Sequence, residues 1–388
     1  MIPSTQHPAP STRYPTPDSL LPIRYSLFPT LPSPLSLPLS LALRGWGRVH
    51  PNPVVGAVVL RGDEVVSEGW HAEFGGPHAE RMALDAAGDV ARGATLVVTL
   101  EPCTHTGKQP PCVERILQAG IAKVIIGLRD PNPEAGGGAE RLRAAGVEVE
   151  MVTGEDALAV AAQLAHFTHR FRNVERPFVA LKLATSLDGK IADRDRVSRW
   201  ISGPAAREWV HWLRAGFDAI GVGGATVTAD DPSLTVRGPV VPRVAPQRVI
   251  FSRSGQVALD CRLLTTAREV PTWVVTGLEP PATLVRALEE PGGHLVAAAT
   301  LADGLRRLRE AGITTLLVEG GGRLAGALLA ADLVDRFHGI QSPLFLGDGA
   351  VPAIAGLSSV PLATTPRWTV TERLALGSDT LLTLDRVT

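Results

Sequence analysis

Short apolar runs alternate with amphipathic stretches along the first half of the chain. VVGAVVL (54–60), ATLVVTL (94–100) and KVIIGL (123–128) are rich in β-branched residues, which favours β-strands. VERILQAG (113–120) has helical spacing instead and ends at a glycine, which is a common helix stop. Strands that alternate with helices predict a parallel or mixed sheet covered by helices on both faces.

The same alternation continues to the end of the chain. GGGAERLRAAGVEVEMV predicts one more helix and strand, an alanine-rich helix follows around 156–171, and NVERP is interpreted as a linker. A second series of predicted strands and helices then follows: PFVALKLATSLDGKIA, FDAIGVGGATV, RVIFS, TWVVTG, LADGLRRLREAG, TTLLVEGGG and RLAGALLAADLVD. No unit repeats between the halves, so the sequence predicts an α/β protein of two unrelated domains that meet near residue 175.

The first 40 residues differ from the rest of the chain. They hold ten prolines, both tyrosines and a single acidic residue, Asp18. Proline at that density opposes helices and sheet ladders alike. LSLPLSLAL (35–43) is apolar, but it is short, broken by proline and without a basic flank, so it is a poor signal peptide. We therefore expect residues 1–40 to be a disordered extension or a mis-assigned start, followed by domains at 41–175 and 176–388.

Composition narrows the class of protein. The 388 residues are 45% hydrophobic and 20% charged, which is typical of a globular protein with an ample core. The net charge of −1, without a Lys/Arg block, argues against a nucleic-acid or membrane surface. Three cysteines are too few for a disulfide framework, and no apolar run approaches the roughly 20 residues that span a bilayer. These features indicate a cytoplasmic enzyme.

Three residues have the character of zinc ligands. His78 stands in GGPHAE just before an alanine-rich helix, Cys103 follows a strand and a proline, and Cys112 follows two prolines and opens a helix. A thiolate at a helix N-terminus is stabilised by the helix dipole and free N–H groups. One histidine and two thiolates make a three-ligand zinc site with an open fourth position, which is the catalytic arrangement. Such a site lowers the pKa of bound water to near neutrality.

Glu80 has a different expected role from these ligands. Residues two apart on a helix do not face the same way, so Glu80 is free to shuttle a proton from water to a leaving amine. His-x-Glu followed by Pro-Cys is the signature of zinc nucleobase deaminases. The chain departs from that signature because eight residues, rather than two, separate Cys103 from Cys112. His105 lies in that loop and is a rival ligand, although an ordinary loop histidine is the simpler interpretation. The two cysteines could likewise be small buried hydrophobic residues.

A longer set of motifs resembles the bifunctional riboflavin-biosynthesis deaminase/reductase family. The resemblance runs from about residue 44 to the C-terminus, and its eight-residue loop between the cysteines is a feature of that family. It rests on HPNPVVGAVV, GWHAEFGGPHAE, TLEPCTHTGKQPPC, LRDPNP, FVALKLATSLDGKIA, SRWISG, GATVTADDPSLTVR and LLVEGG. One departure is that the family's usual helix before the NPVVG strand is reduced to LSLALRG.

The resemblance implies the fold and the chemistry of both halves. It implies a cytidine-deaminase-like three-layer α/β/α domain followed by a dihydrofolate-reductase-like α/β domain. The first would use zinc to remove the 2-amino group of 2,5-diamino-6-ribosylamino-4(3H)-pyrimidinone 5′-phosphate by hydrolysis. The second would reduce the ribosyl group to ribityl with NADPH, giving 5-amino-6-ribitylamino-uracil 5′-phosphate. The expected partner is this small phosphoribosyl pyrimidine, not nucleic acid or a membrane, and we expect a homo-oligomer.

The resemblance also implies substrate contacts in the deaminase half. Asn52 in NPVVG and His71 in GWH would line the base pocket, and Lys108 in HTGK would face the substrate phosphate. An Asn amide can hydrogen-bond a pyrimidine edge, and Lys supplies a compact charge for phosphate. Without the resemblance, His71 and Lys108 could equally be solvated loop residues.

The second half lacks GxGxxG between a strand and a helix, so no Rossmann fingerprint is present. VEGGGRLAG is a better phosphate-binding candidate than GVGGATV, because its glycines separate a strand from a helix whose N-terminus can receive a phosphate. The resemblance implies nicotinamide-cofactor contacts at Ala184, Trp200, Thr226, Asp230, Gly321 and Gly322. It implies substrate contacts at Ser198, Arg214, Leu234, Arg237 and Glu319. Arg214 and Arg237 suit a phosphate chemically, although surface arginines are the ordinary alternative.

Three rival functions use the same residues. A nucleic-acid deaminase with a C-terminal binding module is disfavoured by the near-neutral charge and the lack of an aromatic, basic groove. A structural zinc module is disfavoured by the open fourth position and by Glu80. A reductase with an inactive deaminase domain is disfavoured because His78, Glu80 and both cysteines are intact.

Overall fold

Two sheets organise the chain. The computed structural model describes residues 33–172, 175–238 and 240–386. The strands of the first half are β1 (Gly56–Arg61), β2 (Glu64–Trp70), β3 (Thr95–Leu100), β4 (Lys123–Leu128) and β5 (Glu148–Met151). Its helices are α1 (Ser36–Ala42), α2 (Ala79–Ala87), α3 (Cys112–Ala119), α4 (Gly138–Ala144), α5 (Gly154–Gln163) and α6 (Ala165–Arg172).

The first sheet is mixed, as the alternating pattern predicts. Its order is β2-β1-β3-β4-β5, with β1 antiparallel to both neighbours and β3, β4 and β5 parallel. The edge strand β2 was not predicted, because charged residues interrupt its apolar positions. The single helix expected over 156–171 is two helices, α5 and α6, which meet at Leu164. Residues 173 and 174 of the expected linker NVERP lie outside the described part of the chain.

Helix α1 begins inside the proline-rich N-terminal segment. The expectation of disorder for residues 1–32 falls outside the described residues, but residues 33–40 were assigned to the same extension and are structured. Leu35 and Leu41 are fully buried. A Cβ on Gly56 would lie 1.9 Å from the carbonyl oxygen of Pro38, so α1 packs backbone to backbone on β1. Residues 33–40 therefore pack with the first sheet as part of a short helix before the NPVVG strand, and the limit at residue 40 stays a prediction.

The second half contains the remaining elements. Its strands are β6 (Phe178–Ser186), β7 (Lys190–Ala192), β8 (Ala219–Gly223), β9 (Gln247–Phe251), β10 (Thr272–Thr276), β11 (Gly293–Ala297), β12 (Thr315–Glu319), β13 (Arg336–Ser342), β14 (Val351–Pro352), β15 (Trp368–Leu376) and β16 (Asp379–Arg386). Its helices are α7 (Pro204–Arg214), α8 (Gly224–Asp230), α9 (Arg262–Thr265), α10 (Ala282–Ala287), α11 (Leu301–Glu310) and α12 (Gly322–Ala330).

The second sheet is large and mostly parallel. Its order is β11-β10-β9-β8-β12-β6-β13-β16-β15. The first seven strands in that order are parallel, and the last two are antiparallel to their neighbours. The short strands β7 and β14 pair separately. Because β8, β12 and β6 are adjacent and parallel, their carboxyl ends meet at one edge, where open α/β sheets bind ligands.

The two halves share a buried apolar cluster, which includes Val58 and Leu96 from the first half and Trp209 and Ile340 from the second. The division at residue 175 therefore remains a prediction about the chain, although each sheet is confined to one side of it. Among the described residues, no helix has an apolar stretch long enough to cross a membrane.

Candidate functional site

The three predicted zinc ligands lie together. His78 is the residue before α2, Cys112 is the first residue of α3, and Cys103 is in the loop that follows β3. The Nδ1 atom of His78 lies 3.3 Å from Sγ of Cys112 and 3.6 Å from Sγ of Cys103. The three ligand atoms lie within 4.8 Å of one another. Two strand-to-helix junctions thus bring distant parts of the sequence to one point.

These distances fit a zinc ion. Zinc bonds of about 2.0–2.1 Å to nitrogen and 2.3 Å to sulfur, at tetrahedral angles, separate the two ligand atoms by about 3.5 Å. Hydrogen bonding from Cys112 lowers the pKa of Cys103 to about 4, as a thiolate ligand requires. Within the described residues, this trio is the one group of potential ligands close enough to hold a metal, and His105 does not belong to it.

Glu80 is the second residue of α2 and is almost completely buried, with 4% of its surface exposed. Burial raises the pKa of its carboxyl group to about 7. Glu80, His78 and Cys103 all line one cavity of about 210 Å³. The arrangement places a carboxyl group beside the ligand trio without making it a ligand.

Asn52 and His71 form one wall of this cavity. The Nδ1 atom of His71 lies 3.0 Å from the carbonyl oxygen of Pro77, and its Nε2 atom lies 3.1 Å from Nδ2 of Asn52. Burial lowers the pKa of His71, which favours the neutral ring. Because a carbonyl can only accept, Nδ1 is the donor and Nε2 accepts from the Asn52 amide. His71 therefore fixes the orientation of Asn52.

Lys108 lies at the mouth of the same cavity. Its Nζ atom is 4.1 Å from the centre of the Phe74 ring, and the neighbouring Gln109 side chain donates to the Gly75 carbonyl oxygen over 2.9 Å. These contacts tie the HTGK loop to the turn that carries Phe74 and Gly75. The Lys108 side chain remains exposed, as a cation that receives a phosphate must be.

Two cavity residues were not singled out by sequence reasoning. Asp130 and Asn132, in the LRDPNP motif after β4, line the same cavity as His71 and Asn52. Burial raises the pKa of Asp130 to about 6, and its carboxylate accepts from the Asn132 N–H over 2.9 Å. A signal was available, since both residues closely follow the predicted strand 123–128, just as Cys103 closely follows the predicted strand 94–100.

The expected cofactor contacts of the second half gather at the carboxyl ends of β6, β8 and β12. Ala184 lies near the end of β6, Thr226 is in α8 after β8, and Gly321 precedes α12 after β12. A Cβ on Gly321 would lie 3.1 Å from Oγ1 of Thr226, and one on Gly322 would lie 2.4 Å from the Pro352 carbonyl oxygen. The strand, glycine and helix order predicted for VEGGGRLAG is present, and the lack of side chains at these glycines makes room for Thr226 and the Pro352 carbonyl group.

Two further expected contacts flank this edge. The Ser198 hydroxyl donates to Oδ1 of Asp230 over 3.2 Å, so a predicted substrate contact touches a predicted cofactor contact. Trp200 is exposed over 69% of its surface, and the Arg207 guanidinium lies 4.5 Å from the centre of its ring. Trp200 thus presents a free aromatic face at the rim.

Arg214 and Glu319 form a buried ion pair. The guanidinium donates from Nε and Nη2 to the two carboxylate oxygens over 2.5 and 2.9 Å, and from Nη1 to the Thr235 carbonyl oxygen over 2.9 Å. Lys182, which sequence reasoning did not identify, places Nζ 4.0 Å from Glu319. The expected role of Arg214 as a phosphate clamp stays a prediction, since these bonds use three of its five N–H groups and leave one on each terminal nitrogen.

Leu234 and Arg237 lie in the connection after α8. Leu234 is buried and adopts a left-handed backbone with φ of 47°. Arg237 exposes its side chain, while its backbone N–H donates to Nδ1 of His211 over 3.1 Å. Of the two arginines expected to meet a phosphate, Arg237 is the one whose side chain is exposed.

Two family models match the chain. The cytidine and deoxycytidylate deaminase zinc-binding region matches residues 36–128, and the RibD C-terminal domain matches residues 177–382. The riboflavin biosynthesis protein RibD of Aquifex aeolicus is 40% identical over 329 residues, which cover 84% of this chain and 90% of the relative. RibD of Escherichia coli is 38% identical over 368 residues, which cover 89% of this chain and 96% of the relative.

Solved structures agree with these matches. A Thermotoga maritima diaminohydroxyphosphoribosylaminopyrimidine deaminase/5-amino-6-(5-phosphoribosylamino)uracil reductase superposes with a TM-score of 0.73 and 37% identity, over 90% of this chain and 96% of its own. Acinetobacter baumannii RibD superposes with a TM-score of 0.72 and 33% identity, over 90% and 97% of the two chains. The match therefore extends through both halves, and the chain belongs to the RibD family of bifunctional deaminase/reductase enzymes of riboflavin biosynthesis.

Proposed function

We propose that the chain deaminates 2,5-diamino-6-ribosylamino-4(3H)-pyrimidinone 5′-phosphate in its first half and reduces the ribosyl group of the product in its second half. The observation that carries this proposal is the cavity lined by His78, Cys103, the buried Glu80 and the Asn52–His71 pair, with Cys112 completing the ligand trio. The cofactors are zinc and NADPH. The proposed product is 5-amino-6-ribitylamino-uracil 5′-phosphate.

In the deaminase half, His78, Cys103 and Cys112 would hold the zinc ion. Zinc in such a site supplies Lewis acidity, which makes water a nucleophile near neutral pH. Asn52, oriented by His71, reads an edge of the pyrimidine through its amide. Glu80 accepts the proton released by water at its carboxylate and donates it to the departing amine, which leaves as ammonia. The depth of Glu80 in the cavity supports this role, because bulk water cannot compete for the proton.

The substrate phosphate would be received at the rim of this cavity. Lys108 supplies a point charge there, and its contact with Phe74 orients the side chain without burying the ammonium group. The base end of the substrate then lies toward Asn52 and the ligand trio. The two ends of the cavity thus distinguish the two ends of the substrate.

In the reductase half, NADPH supplies the hydride. Thr226 would offer a hydroxyl group, Gly321 and Gly322 would offer backbone N–H groups at the start of α12, and Trp200 and Ala184 would flank the cofactor. Ser198, Leu234 and Arg237 face the substrate side. Glu319, held by Arg214 and close to Lys182, positions a buried charge where the ribosyl group would meet the hydride.

We also propose that the protein is a homo-oligomer and that it lies in the cytoplasm. The free thiols of Cys103, Cys112 and Cys261 are compatible with a reducing compartment. Sedimentation of the purified protein would give its subunit number directly.

One coupled assay tests the function. Purified holoprotein is given the diamino pyrimidine substrate, and ammonia release is followed together with NADPH oxidation. Both signals should appear, with NADPH oxidation dependent on prior ammonia release. Ammonia release from single-stranded RNA or DNA, without release from the free phosphoribosyl pyrimidine, would contradict the proposal.

A further inference from the structure

The second half packs against the loop that carries Asn52, a residue of the deaminase cavity wall. The segment 241–243, in the connection between α8 and β9, lies against the loop 46–53 that carries Asn52. The Arg243 backbone N–H donates to the Gly47 carbonyl oxygen over 2.8 Å, and Nη1 of Arg48 donates to the Val241 carbonyl oxygen over 2.9 Å. These reciprocal bonds join the loop of one half to a segment of the other.

The Arg243 side chain makes the most extensive of these contacts. Its Nε and Nη2 atoms donate to the His50 carbonyl oxygen over 3.0 and 2.7 Å. Its guanidinium carbon lies 4.6 Å from the centre of the Phe74 ring, whose contact with Lys108 is 4.1 Å. One arginine thus touches both the loop before Asn52 and the aromatic ring beside the proposed phosphate-binding lysine.

His50 is held at its ring as well as at its carbonyl. Its Nε2 atom lies 2.6 Å from Oδ1 of Asp218, whose other oxygen accepts from the N–H and hydroxyl groups of Thr314 over 2.7 and 2.6 Å. Asn52 follows two residues later and donates its backbone N–H to the Val49 carbonyl oxygen over 2.9 Å. The position of Asn52 in the cavity therefore depends on groups of the second half.

We propose that Arg243 is a positioning residue for the deaminase cavity, supplied by the reductase half and acting through His50 and Phe74. The inference rests on the proposed function of that cavity. Arg243 does not line the cavity itself, so it acts on substrate binding by fixing its wall. It lies in the same α8–β9 connection as Leu234 and Arg237, so one segment serves both sites.

The test compares three variants of the full-length zinc-loaded protein. Arg243→Ala removes both hydrogen bonds and the contact with Phe74, and Arg243→Lys keeps a cation that can reach either group. Arg268→Ala is the control, because that arginine forms an exposed ion pair with Glu290. Ammonia release is measured as kcat and KM, together with zinc content, thermal midpoint and reduction of pre-deaminated substrate by NADPH.

Arg243→Ala should raise KM for deamination about tenfold with kcat within about twofold, as expected when ground-state and transition-state binding weaken equally by one hydrogen bond or cation–π contact. Arg243→Lys should recover part of that loss, and zinc content and reduction should equal those of Arg268→Ala. Unchanged deamination by Arg243→Ala would overturn the role. So would an equal loss of deamination, reduction and thermal midpoint in both Arg243 variants, since that indicates general destabilisation. Absence of ammonia release from the unmodified enzyme would instead count against the proposed function itself.

Discussion

The carboxylate of Glu319 faces the guanidinium of Arg214 through two contacts, of 2.5 and 2.9 Å, at the carboxyl end of β12. Both side chains are nearly buried, with 10% and 13% of their surfaces exposed. Lys182 places a second cation 4.0 Å from the same carboxylate. Glu319 thus compensates two positive charges that the protein has removed from water.

Glu319→Gln should destabilise the protein strongly. Removing one partner of a buried pair leaves an uncompensated charge, which costs about 3–5 kcal/mol in the free energy of unfolding. Glu290→Gln is the matched control, because its ion pair with Arg268 is exposed and should contribute at most about 1 kcal/mol. Urea unfolding of the two variants measures both values. Equal, small losses would contradict the assignment of Glu319 as a charge-compensating group.

The stabilisation by Glu319 should also depend on pH. Burial raises its pKa, but the charge and hydrogen bonds of Arg214 lower it by more, so that the folded-state pKa lies below 4.5. The unfolded state therefore binds the proton first as pH falls. The difference in unfolding free energy between the natural protein and Glu319→Gln should be full above pH 4.5 and shrink below it. Unfolding curves between pH 7 and pH 3 test this prediction. A difference in unfolding free energy that grows toward low pH would contradict it.

Cys103→Ala should empty the zinc site. The remaining His78 and Cys112 provide two ligands, which are fewer than a stable site needs. Metal analysis should find about one zinc per chain in the natural protein and almost none in the variant. His105→Ala is the control and should retain zinc, because His105 lies outside the ligand group. Full zinc occupancy in Cys103→Ala, or loss in His105→Ala, would require a different ligand set.

Glu80→Gln should abolish deamination selectively. The amide keeps the size of the side chain but cannot carry the proton, so ammonia release should fall by about 10²–10⁴-fold. Zinc should remain bound, and the variant should still reduce pre-deaminated substrate with NADPH. Near-normal ammonia release would remove Glu80 from the mechanism. Loss of reduction as well would argue for one shared site rather than two.

Local signals in the sequence predicted the zinc ligands but not the contacts between residues far apart in the chain. His78, Cys103 and Cys112 each stand at a strand or helix boundary marked by proline or glycine, so their convergence follows from the order of the elements. The pairing of Arg214 with Glu319 does not, because 105 positions separate the last residue of α7 from the last residue of β12. The sequence does not predict the contact of Arg243 either, because its hydrogen-bond acceptor, the His50 carbonyl oxygen, lies 193 positions away.

The N-terminal segment illustrates a different limit of sequence reasoning. Pro38 lies inside α1, and proline within a helix opposes regular structure. In this helix of seven residues, however, Pro38 is the third residue, where its missing N–H has no intrahelical partner in any case. Burial of Leu39 and Leu41 against the first sheet then outweighs the low helix propensity. Packing against the first sheet, rather than local composition, therefore makes this segment helical, and composition alone could not predict the helix.

Two truncations separate the packed part of the N-terminal segment from the rest. Removal of residues 1–32 should leave zinc content, both activities and the thermal midpoint unchanged, because the eight prolines in that segment oppose helices and sheet ladders. Removal of residues 1–42 should destabilise the deaminase half severely. That deletion takes away Leu35, Leu39 and Leu41, and each buried leucine contributes about 1.5–3 kcal/mol. It also uncovers Gly56, against which the Pro38 carbonyl group packs.

Thermal unfolding, with zinc content measured alongside, distinguishes the two truncations. A large loss in the shorter one would place further packing before residue 33, and an unchanged longer one would show that α1 does not support the sheet.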